Sequence, residues 1–306
     1  MQRKLTDYLI IALKGLAMGA ADVVPGVSGG TIAFISGIYE ELITSINNVS
    51  FSLLKELPKV GLAATWKKLN GNFLLALFIG IGTSVLSLAK LIGWLLEEHP
   101  ILVWSFFFGL VLASVWFVGK TISKWSPLVI GVFLGGAALA YFITSLPVST
   151  STDTLPYLFL SGALAICAMI LPGISGAFIL VLLGSYKTIL DAVHEKDLKI
   201  VAVVGAGAII GLLAFSKVLK WMFNHYKDLT LALLSGFILG SLNKIWPWKK
   251  VLETKIIDDK VFNIDEINVL PGSFEGDPKL LPAVGLALLG FVLILALEKW
   301  ADQKPA

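Results

Sequence analysis

Two strings in this 306-residue chain combine residue types that can do chemistry: Pro25-Gly26-Val27-Ser28-Gly29-Gly30 and Pro172-Gly173-Ile174-Ser175-Gly176-Ala177. The first fits the G-x-S-x-G elbow that presents a nucleophilic serine. Such a serine needs a general base within hydrogen-bond reach. The three histidines, His99, His194 and His225, all fall at the ends of apolar blocks or in loops. A hydrolase also gains little from carrying its serine turn twice. Anion binding accounts for the same residues better. Glycines let consecutive backbone N–H groups converge into a concavity, and a helix starting there adds the positive end of its dipole. Ser28, Thr31 and Ser175 add hydroxyl donors at the same points. The expected binding set is therefore Ser28, Gly29, Gly30 and Thr31 with Ser175, Gly176 and Ala177, on turns shaped by Pro25, Gly26, Pro172 and Gly173. Close helix packing through small residues is the competing account. The joint recurrence of proline, glycine and serine favours the anion site.

Charges near these strings extend the reading. Lys90 and Lys217 sit inside apolar blocks at matching positions. A charge within a membrane span is costly and often functional, so both are candidate phosphate contacts, offered alternately to each side. The plainer account is that they snorkel to the interface. Asp22 precedes the first string, whereas Met169 holds the corresponding place before the second. A lone carboxylate beside an anion site can carry a coupling proton, or a coupling sodium can sit there; it can equally cap the turn. Cys167 is the only cysteine, so one chain can form neither a disulfide nor a cysteine metal site. No metal, cofactor or nucleic acid is expected.

The elements that must hold these residues belong to a membrane protein. The chain is 57% hydrophobic and 15% charged, against roughly 25% charged in soluble domains. Apolar blocks near the ~20 residues needed to cross a bilayer run approximately over 73–96, 101–118, 127–146, 200–223, 229–246 and 281–297. Two longer regions, 9–46 and 156–193, are broken near the middle by the Pro-Gly strings and read as two helical arms joined at a turn. The apolar start after Arg3 and Lys4 lacks a cleavage site and reads as retained.

The chain is duplicated. An offset of 147 aligns the two strings and also pairs Gly15 with Gly162, Gly37 with Gly184 and Tyr39 with Tyr186. Further on, an offset of 127 pairs Lys90 with Lys217, Trp94 with Trp221, Gly109 with Gly236 and Ser114 with Ser241. The expected organisation is all-α, with membrane repeats over 1–146 and 147–306, a polar insert over 47–72 and an extracytoplasmic loop over 247–280. Each half contributes a broken, re-entrant hairpin and three spans, an odd count that inverts the second half relative to the first. With both termini cytoplasmic, Arg3, Lys4, Lys55, Lys59, Lys67, Lys68, Lys120, Lys124, Lys227 and Lys299 lie inside, in agreement with the positive-inside rule. The exception is the long loop 247–279, which places five lysines outside among seven acidic residues. Two such turns entering from opposite sides meet near the midplane, where secondary transporters bind their substrates.

The run Gly19-Ala20-Ala21-Asp22-Val23-Val24-Pro25-Gly26-Val27-Ser28-Gly29-Gly30-Thr31-Ile32-Ala33, followed by Gly37-Ile38-Tyr39-Glu40, resembles the signature of a prokaryotic membrane family. So does Leu171-Pro172-Gly173-Ile174-Ser175-Gly176-Ala177-Phe178. That family, formerly a domain of unknown function, is associated with polyprenyl-phosphate translocation. The resemblance implies a non-enzymatic flippase in the cytoplasmic membrane that returns undecaprenyl phosphate for cell-envelope synthesis. The residues themselves point only to an anion held near the midplane. They leave open a transporter or channel for a small soluble anion, and an intramembrane lipid-phosphate hydrolase.

Overall fold

The computed structural model describes residues 3–24, 26–149, 154–257 and 260–302. Its helices follow the apolar blocks. α1 (Leu5–Val23) is followed by the short α2 (Gly29–Ile35) and α3 (Tyr39–Asn47). Then come α4 (Phe51–Val60), α5 (Leu62–Lys68), α6 (Gly71–Glu98), α7 (Pro100–Thr121) and α8 (Pro127–Thr144). The second half repeats the series as α9 (Leu155–Ile170), α10 (Gly176–Leu182), α11 (Tyr186–His194), α12 (Leu198–His225), α13 (Lys227–Ser241) and α14 (Leu280–Asp302).

Three features depart from the sequence expectation. Each hairpin has two breaks, not one. The second lies at Gly37 (φ 73°) and Gly184 (φ 70°), left-handed positions that end α2 and α10 after seven residues each. Seven helical residues span about 10 Å, so neither short helix crosses a ~30 Å hydrocarbon core. α10 and α11 diverge by 109°. Within the insert, residues 51–68 are helical, because Ser50 accepts a hydrogen bond from the Leu53 N–H and starts α4. The loop after α13 holds an antiparallel hairpin, β1 (Lys249–Ile257) with β2 (Lys260–Asn268). Among the described residues the fold is therefore helical with one β-hairpin.

Four helices, α6, α7, α8 and α12, are long and apolar enough to cross a membrane. Their outward faces are apolar too: Phe78, Leu86, Ile209 and Ile210 are exposed. Such a surface suits lipid as its solvent. Between helices, glycines set the distance. A methyl group at Gly15 would run into the Leu77 carbonyl, and one at Gly162 into that of Val204. Gly80 meets Ala12 as Gly207 meets Phe159. These are the same contacts at offsets of 147 and 127, so α1 lies on α6 as α9 lies on α12. The last helices are exchanged. α14 packs on α7 through Gly109 and Ala287, and α8 packs on α13 through Gly236 and Phe133. The core thus formed holds Val24, Val27, Ala33, Tyr39, Leu234, Ile238 and Ile245 around the two Pro-Gly strings.

Candidate functional site

The two broken turns meet inside this core. α1 ends as Val24 turns to extended backbone, and the Val27 N–H donates to the Val24 carbonyl (3.1 Å). Pro25 lies outside the described residues. Gly26 (φ 81°) and Gly173 (φ 94°) both take the left-handed conformation that reverses the chain. Across the contact, the Gly173 N–H donates to Thr31 Oγ1 at 2.9 Å. Ser28 Oγ lies 3.3 Å from the Met169 carbonyl and 3.2 Å from that of Leu171. The Tyr39 hydroxyl donates to the Ile170 carbonyl at 3.1 Å. Side chains of the first half thereby satisfy backbone groups that the second half's broken helix leaves unpaired. Lys14 of α1 does the same at the far end of α2, donating to the Ser36 carbonyl (2.6 Å).

The turns differ in what caps the helix that follows. In the first, the Gly29 N–H donates to Asp22 Oδ1 (2.6 Å), the Gly30 N–H to Ser28 Oγ (3.1 Å), and the Thr31 N–H to the Ser28 carbonyl (2.9 Å). The amides of Gly29 and Gly30, expected to face a ligand, are occupied by this chain's own oxygens. Asp22 reaches the Gly29 amide because the turn folds it back onto the start of α2. In the second turn Met169 replaces the carboxylate. Ser175 caps no amide of α10, and among the described residues neither the Gly176 nor the Ala177 N–H finds a partner. Among the described residues, the first two amides of the following helix are left over at the second turn only.

The end of α13 closes this region. A methyl at Gly173 would lie 2.8 Å from Ser241 Oγ and 2.9 Å from the Phe237 carbonyl. One at Gly26 would lie 3.1 Å from Lys244 Cγ. Lys244 Nζ stands 5.1 Å from the centre of the Phe178 ring. Sequence reasoning missed this lysine, although it falls inside the apolar block 229–246 and was open to the same intramembrane-charge argument as Lys90. Lys90 and Lys217 themselves are exposed on α6 and α12, and among the described residues no hydrogen bond or ion pair joins them to either turn. That placement fits amines reaching for lipid headgroups.

Ser28 is held by carbonyls and a glycine amide. His99 stacks edge-on to Trp94, and His225 Nδ1 lies 2.9 Å from the Trp221 carbonyl. No hydrogen bond or ring contact joins a histidine to Ser28 or Ser175. Among the described residues, no cluster of three His, Cys, Asp or Glu side chains could hold a metal. Trp246 and Trp248 line an apolar crevice of about 250 Å³ between α7 and α14.

Long helices with exposed apolar faces, and two broken helices whose turns meet inside, define a multi-pass membrane protein of the broken-helix kind that transporters use. The chain belongs to the undecaprenyl phosphate translocase-like family, whose model matches residues 18–261. It is 48% identical over 308 residues to a polyprenyl-phosphate transporter of Vibrio cholerae, covering 99% of this chain and all of that protein. It is 34% identical over 253 residues to a polyprenyl-phosphate transporter of Staphylococcus aureus, covering 77% of this chain and 85% of that protein. No solved structure matches it.

Proposed function

We propose that this protein translocates a polyprenyl phosphate, undecaprenyl phosphate in the first instance, across a prokaryotic cytoplasmic membrane without converting it chemically. The observation that carries the proposal is the asymmetric pair of turns. One is capped by Asp22, and the other leaves the Ser175 hydroxyl and the Gly176 and Ala177 amides for a ligand. A lipid monophosphate brings the anionic oxygens such donors suit. Its tail needs an apolar surface, and apolar side chains line the crevice beside Trp246.

In this reading the halves are inverted and both termini are cytoplasmic. The site opens alternately to each leaflet as the halves rock about the contact between the turns. Asp22 is the coupling group: a protonated carboxyl accepts the Gly29 N–H more weakly, so proton uptake loosens α2. The test is flipping of labelled undecaprenyl phosphate in liposomes holding the purified protein. The expected result is flipping by the wild type and loss of it in the paired substitution Gly29→Leu plus Gly176→Leu. No flipping by the wild type, or uptake indifferent to the prenyl chain, removes the proposal; the latter points to a soluble anion.

A further inference from the structure

Lys244 is the one feature of this region that neither duplication nor helix packing explains. Its counterpart at an offset of 127 is Phe117, so the repeat does not require a cation there. Its stem lies against Gly26 of the first turn, and its ammonium lies over Phe178 of the second. The side chain is half-buried, yet no carboxylate among the described residues stands within ion-pair distance of it. The neighbouring Glu266 carboxylate is bound by Lys249 at 3.1 Å. Lys249 also donates to the Lys244 carbonyl (2.7 Å), which pins the backbone and leaves the Lys244 side chain as the group that can move. A half-buried ammonium on an aromatic face is stabilised by the ring quadrupole, but an anion is the stronger partner. Three residues before Phe178, Ser175 Oγ makes no hydrogen bond among the described residues.

We propose that Lys244 is the residue that reads the charge of the lipid headgroup: its ammonium leaves the Phe178 face to ion-pair with a phosphate held at Ser175. The uncapped second turn places the anion, and Lys244 makes the site prefer a phosphate over an uncharged hydroxyl of the same prenyl chain. This rests on the lipid-phosphate reading above and adds to it a selectivity residue from a segment outside both motifs.

Two measurements test it. In the first, the purified full chain in detergent is titrated with a polyprenyl phosphate and with the matching polyprenol, and the ratio of affinities is taken. A charge-assisted contact of this kind is worth about tenfold or more. The wild type is expected to prefer the phosphate. Lys244→Gln is expected to lose about tenfold of that preference through the phosphate alone, and Lys244→Arg to keep most of it. A role in packing alone would weaken both lipids equally, and that result overturns the assignment. The second needs no variant. Reductive methylation of Lys244 in the wild type, read by mass spectrometry, is expected to slow with polyprenyl phosphate and not with polyprenol. Equal labelling in both overturns it. A wild type that binds phosphate and alcohol alike sinks the lipid-phosphate reading itself, which is distinguishable from a phosphate preference that survives Lys244→Gln.

Discussion

Asp22 and Met169 occupy equivalent places in two copies of one turn, and that difference, with Ser28 capping Gly30 where Ser175 caps no amide, leaves donors in the second copy. The carboxylate accepts the Gly29 N–H at 2.6 Å. Asp22→Ala removes the cap and leaves a buried amide unpaired, at an expected cost of about 1–3 kcal/mol. Asp22→Asn keeps an acceptor and recovers most of that loss in thermal unfolding. Because asparagine cannot titrate, the same variant is expected to lose the dependence of flipping on a transmembrane pH gradient. Flipping that still follows the gradient in Asp22→Asn would remove Asp22 from coupling. Near the start of the chain, Arg3 forks onto both oxygens of Glu41 (2.6 and 2.7 Å), and Asn70 adds a third hydrogen bond. Burial pushes the Glu41 carboxyl up, but these bonds outweigh it and hold it below its ordinary value of 4.5. A depressed carboxyl contributes stability above its unfolded pKa and loses it as pH falls through the folded one. The wild type is therefore expected to melt above Glu41→Gln at neutral pH. The two are expected to converge on acidification below 4.5.

Among the elements, helix spacing is set by glycines that admit a backbone and nothing larger. Gly80 faces the Ala12 carbonyl, and Gly207 faces that of Phe159. Gly80→Ala or Gly207→Ala must push α1 from α6 or α9 from α12, costing about 1–3 kcal/mol by overpacking. Gly82→Ala and Gly205→Ala meet open space and are expected to be neutral or to stabilise by about 0.5–1 kcal/mol through helix propensity. Thermal unfolding of the four variants in one detergent checks the contrast. Element positions were readable because a ~20-residue apolar block has few alternatives in a bilayer. The second breaks were not read. Gly37 and Gly184 were matched as a pair, but a lone glycine in apolar sequence does not announce a positive φ. The β-hairpin is not legible in hydropathy because charged residues interrupt its strands, which hold no long apolar block.

At the scale of the molecule, neither half closes a core alone. α8 of the first half lies on α13 of the second, and α14 of the second lies on α7 of the first. Residues 1–146 and 147–306 expressed separately are expected to be degraded. Co-expressed, they are expected to associate and regain flipping. Stable, monodisperse single halves would show the exchanged packing to be dispensable.

What the sequence determined alone was whatever repeats or runs on locally: the membrane as solvent, the duplicated framework, and two Pro-Gly-x-Ser-Gly turns that break helices. Hydropathy, offset and turn chemistry are all properties of neighbouring residues. Only the tertiary structure decided which amides stay open, because Asp22 caps Gly29 through a turn whose path must be known first. Likewise, only the fold carries Lys244 from the end of α13 onto Gly26 and Phe178, while leaving Lys90 and Lys217 on the outside. A side chain's partner across two hundred residues is set by packing, and no local pattern encodes it.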